Sequence, residues 1–71
     1  MNAKIIHPTT GRERNVRDLK IVFHIISEDG IDQDVKCVEF TVIGDNSEWP
    51  DWATYKAFRE ANPDIRVDNK E

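Results

Sequence analysis

Four groupings in this 71-residue chain carry side chains able to do chemistry. They are the soft metal ligands His7, His24 and Cys37, the acidic run EDGIDQD at residues 28–34, the basic set Arg12, Arg14, Arg17 and Lys20, and the stretch SEWPDWATYKAFREANPD at residues 47–64. Two histidines and one cysteine fall short of the four ligands of a structural zinc site, even with His24 and Cys37 diagonal on one strand face. EDGIDQD lacks a calcium loop's order of a sixth-position glycine and a terminal bidentate glutamate, so it reads as solvated turn carboxylates. The basic neighbour of Cys37 is Lys36, which a strand directs to the opposite face, so Cys37 reads as a packing residue and not a reactive thiolate.

Catalysis has no better foothold. The chain holds no nucleophile with a base at a recognisable spacing, no glycine-rich phosphate loop and no carboxylates that pair as acid and base. A single sheet under one helix leaves little room for the enclosed pocket a reaction needs. The expectation is a non-enzymatic protein with no catalytic residue, no metal, no cofactor and no small-molecule substrate.

The basic set and the aromatic stretch suggest binding. Residues 1–20 carry five basic against two acidic side chains, and the remainder carries five against twelve, within a net charge of −4. Arg12, Arg14, Arg17 and Lys20 are therefore the candidate contacts to an anion or a nucleic acid, opposed by the carboxylates that follow. Trp49, Trp52, Tyr55 and Phe58 lie within ten positions of an otherwise polar segment. On a helix started by Pro50 and Asp51 and ended by Asn62-Pro63, Thr54, Ala57, Phe58 and Ala61 share one arc, with Tyr55 at its edge. That arc is the core face, with Phe58 as its anchor. Trp52 points elsewhere, with Lys56 and Arg59 one and two turns on, and the three form a candidate protein-binding patch in which Lys56 lies over the indole. Trp49 is expected to fold back and be buried.

The elements that position these groups follow from alternation and turn chemistry. RDLKIVFHIIS and VKCVEFTVIG flank Asp29-Gly30, the dipeptide of a type I′ hairpin. With those two residues as the loop, Leu19 faces Phe40, Ile21 faces Val38 and Lys20 faces Glu39. One face then carries Leu19, Ile21, Phe23, Ile25, Val38, Phe40 and Val42. KIIH at residues 4–7, stopped by Pro8, reads as an edge strand, PTTGRERN as a loop, and DIRV at residues 64–67 as a short returning strand.

The sum is one α+β domain over residues 1–71. A small, mainly antiparallel sheet carries a single helix on one face in the order β-β-β-α-β, with loose ends at about 1–3 and 68–71. No apolar leader or membrane-length apolar run is present and a lone cysteine excludes an internal disulfide, so a cytoplasmic protein is expected. A domain this small buries little core, which favours a partner. The function expected is a protein-interaction or assembly module whose partner is another protein or a second copy, as a homodimer. The alternative is a nucleic-acid-associated accessory domain using the basic N-terminal segment and an exposed tryptophan.

Overall fold

The computed structural model describes residues 2–67. It contains β1 (Asn2–Ile6), β2 (Glu13–Glu28), β3 (Ile31–Ile43), β4 (Glu48–Thr54) and α1 (Tyr55–Ala61). The strands form one antiparallel sheet in the order β1-β2-β3-β4. The α+β class is as expected, but the fourth strand precedes the helix. DIRV is not a strand: its Ile65 and Val67 pack against the core as irregular chain. Asn2 and Ala3 pair with Arg17 and Val16, within a span expected to be loose, whereas Met1 and residues 68–71 lie outside the described residues.

The hairpin turn follows its chemistry. Asp29 and Gly30 have φ of 54° and 77°, the doubly left-handed backbone of a type I′ turn, whose twist matches that of the strands it joins. Pairing runs from Glu28 opposite Ile31 back to Ile21 opposite Val38 and Lys20 opposite Glu39. There the expected register stops. Arg17 pairs with Thr41 and Val16 with Val42, so Asp18 and Leu19 together stand against Phe40. Asp18 takes φ 60°, and the extra residue makes a β-bulge. Its effect is to change phase: Val16 and Ile21, five residues apart, both face the helix side of the sheet.

The core lies on that side, near the bulge. Ile5, Val16, Val38, Phe40, Val42 and Phe58 are buried together, with Leu19, Tyr55, Ile65 and Val67 packed around them. The rings of Phe40 and Phe58 lie 6.2 Å apart, within the favourable range for aromatic pairs. Phe58 is completely buried and is the helix's anchor, as expected.

The start of the helix is corrected by one turn and more. Residues 48–54 form β4, with Pro50 opposite Thr41 on an edge strand. An edge tolerates proline where its missing N–H would face outward. The N-cap is Thr54, whose hydroxyl accepts the Ala57 N–H at 3.2 Å and so satisfies one of the first-turn donors. Asn62 closes the other end. Its side chain accepts the Ile6 N–H at 2.7 Å and donates to the Ile6 carbonyl at 2.9 Å, which imitates a strand neighbour for β1. This buried amide also donates to the Phe58 carbonyl. The edge of β1 at Ile6 is thus occupied by a side chain.

Away from the core the sheet narrows. β1 pairs only with Glu13–Arg17 of β2, and β4 only with Cys37–Ile43 of β3. From Phe23 to Lys36 the sheet is a ribbon two strands wide, and Phe23, Ile25 and Ile31 are 62%, 71% and 60% exposed. The molecule is correspondingly elongated, 40 × 24 × 21 Å. A seven-residue helix is about 10 Å long, far short of covering a 16-residue strand at about 3.4 Å per residue.

Candidate functional site

The outer face of the sheet, away from α1, holds most of the chemistry-bearing side chains. Cys37 sits on β3 with Val22 of β2 on one side and Thr54 of β4 on the other. His24, opposite Val35, and Trp52, opposite Glu39, lie diagonally across it. Their rings stack at 4.4 Å between centroids and 15° between planes, so an imidazole–indole pair spans the strand that carries Cys37. The Cys37 side chain is fully buried and its Sγ donates to the Val35 carbonyl at 3.4 Å. Burial pushes the Cys37 thiol above its ordinary value and the charge of Glu39 adds to this, against a hydrogen bond from the His24 backbone. This is the inert, protonated thiol expected of a packing residue.

Beside this pair an open groove of about 820 Å³ runs between the bulge and β4, lined among others by Asp18, Lys20, Glu39, Thr41, Pro50 and Trp52. Glu39 stands 3.7 Å from Lys20 Nζ and 3.6 Å from His24 Nε2. Among the described residues, no group of three or more His, Cys, Asp and Glu side chains is placed to hold a metal ion.

The expected patch of Trp52, Lys56 and Arg59 is not assembled. It presumed one helix, but Trp52 is on β4 and points to the outer face, whereas Lys56 and Arg59 are on the helix that covers the inner one. The indole, 43% exposed, is covered by His24 rather than Lys56. Lys36 supplies a cation–π contact instead, 4.1 Å from the centre of the Tyr55 ring. Arg59 is engaged internally, its Nη1 donating to the Ile65 carbonyl at 2.7 Å. Trp49 is likewise not buried: it is 40% exposed and its ring lies on Gly44, where a Cβ would come within 2.9 Å of it.

The basic set is also divided. Arg12 precedes β2, Arg14 shares the face of Val16, and Arg17 and Lys20 are on the outer face. Arg17 bridges Glu48 and Asp18. The hydrogen bond and charge of Glu48, then Asp18, raise its guanidinium pKa further above the ordinary value. Two of the four cations are thus matched by carboxylates on the same surface, which removes much of the attraction for phosphate.

The exposed ribbon is the feature that alternation alone could not reveal. Phe23 and Ile25 occupy core-face positions, but beyond the reach of α1 none of the described residues buries them. No described helix is long and apolar enough to cross a membrane. No protein-family model matches the chain, and no curated protein or solved structure is significantly similar to it.

Proposed function

We propose that this chain is a small non-enzymatic interaction or assembly module that binds another protein, or a second copy of itself, through the projecting ribbon of β2 and β3. The observation that carries the reading is the exposure of Phe23, Ile25 and Ile31 at 60% or more on a ribbon two strands wide. An isolated two-stranded hairpin is marginal in water, and exposed large apolar side chains, here Phe23 and Ile25 together on one face and Ile31 on the other, mark an interaction site. The division of the basic set favours a protein partner over nucleic acid.

The test compares the wild-type chain with a Phe23→Ser/Ile25→Ser variant, both immobilised and exposed to the same host extract with and without nuclease treatment. A protein retained by the wild type and lost by the variant is expected. Equal retention by both, or retention abolished by the nuclease, would overturn the reading.

A further inference from the structure

We infer that the ribbon pairs with a second copy of this chain, strand β2 against the partner's β2, antiparallel and centred on His24. The inference rests on the module reading above and names its partner.

Among the described residues β1 pairs with β2 no further than Arg17, the bulge follows, and Lys20–Glu28 is paired on one side only, to β3. In a type I′ turn the residues flanking the two-residue loop are hydrogen-bonded, here Glu28 and Ile31. Bonded and non-bonded pairs then alternate along the ladder. The N–H and C=O groups of Ile21, Phe23, Ile25 and Ser27 consequently point away from β3, toward the free edge.

Self-pairing about His24 fits both hydrogen bonds and side chains. Phe23 then forms a bonded pair with the partner's Ile25, and Ile21 with the partner's Ser27. Between them, Val22 meets the partner's Ile26, and Lys20 meets the partner's Glu28 at each end. Apolar meets apolar in the inner pairs of Phe23 with Ile25 and Val22 with Ile26, and the terminal pairs join opposite charges, the combination that stabilises cross-strand neighbours. Centring on Phe23 instead would set Lys20 against the partner's Ile26. Centring on Ile25 would set Val22 against the partner's Glu28. The ring of His24 leans across β3 toward Trp52, so the two imidazoles leave the axis uncrowded.

The opposite edge of the ribbon argues the same way by contrast. Asp32, Gln33 and Asp34 line it on β3, and charge along an edge is how sheets resist pairing. On β2 the corresponding stretch carries charge only at its ends, Lys20 and Glu28, where self-pairing neutralises it.

Sedimentation equilibrium from about 1 µM to 1 mM tests the inference, a range covering weak to moderate association. A shift from single to double mass is expected for the wild type. Lys20→Glu or Glu28→Lys alone should weaken dimerisation about tenfold, since each places like charges opposite at both ends. The Lys20→Glu/Glu28→Lys double variant should restore it. In the wild type, a mixed-label filtered NOE between the Val22 and Ile26 Hα atoms of different copies should appear, and this measurement does not depend on any variant folding. Single mass throughout, or a dimer without that NOE and indifferent to the charge exchange, overturns self-pairing. If the chain stays single while Phe23→Ser/Ile25→Ser still loses a captured protein, self-pairing falls and the module reading stands.

Discussion

His7 Nε2 lies 2.8 Å from Asp51 Oδ2, joining the loop after β1 to β4 across a sheet in which those two strands occupy opposite edges. His7 Nδ1 accepts from the Thr9 N–H at 3.1 Å, so Nε2 is the nitrogen that donates to the carboxylate. The imidazole also meets the Phe40 ring edge-on at 6.1 Å. This clasp holds the curled sheet around the core. His7→Ala and Asp51→Ala should show a coupling energy of about 1–2 kcal/mol in a double-mutant cycle of urea unfolding, the range of a partly buried charge-assisted bond. Additive losses would mean that the two ends of the sheet are held by packing alone.

Asn62 is the second tie, and the more buried. Asn62→Ala removes both bonds to Ile6 and leaves that strand edge unsatisfied, for an expected loss of about 2–3 kcal/mol. Amide exchange gives a local reading: the Ile6 N–H should lose protection more than the N–H groups of β3.

Phe58→Ala should cost about 3–5 kcal/mol, because the ring is wholly buried and packs against Phe40. Thermal unfolding followed by circular dichroism would register this as a large fall in Tm. A change of only a few degrees would mean that the core closes over the gap.

Cys37 provides a chemical probe of the outer face. Its thiol is held protonated by burial, so alkylation of the native protein should lag well behind that of a free thiol. The unfolded chain ionises first, so stability should be unaffected below about pH 8.5 and decline as pH rises past it. Trp52→Ala removes half of the stacked pair that spans this strand and should accelerate alkylation while leaving the fold largely intact.

The central hairpin was legible in the sequence because two independent signals agree: Asp29-Gly30 fixes the turn, and alternation fixes which residues share a face. The bulge was not read, although Val16 and Leu19, three residues apart, are out of phase for an unbroken strand. Pro50-Asp51 was misread because a proline that suits the first turn of a helix suits an edge strand equally well, and only the partner strand decides. That error displaced Trp52 from sheet to helix and assembled a patch with Lys56 and Arg59 that does not exist. The exposure of Phe23 and Ile25 depends on how far a seven-residue helix reaches, a matter of tertiary geometry that no local pattern contains.

The bulge at Asp18 and Leu19 also governs how this chain can change in length. Deleting Asp18 would remove the extra residue and leave an unbroken ladder, with Leu19 opposite Phe40, Arg17 still opposite Thr41 and Val16 still opposite Val42. Flattening the bulge with Asp18 retained would instead set Arg17 against Val42 and turn Val16 outward. In the ribbon, by contrast, whole cross-strand pairs could be removed from both strands together without disturbing the core, so reach and stability are free to vary independently along the same two strands.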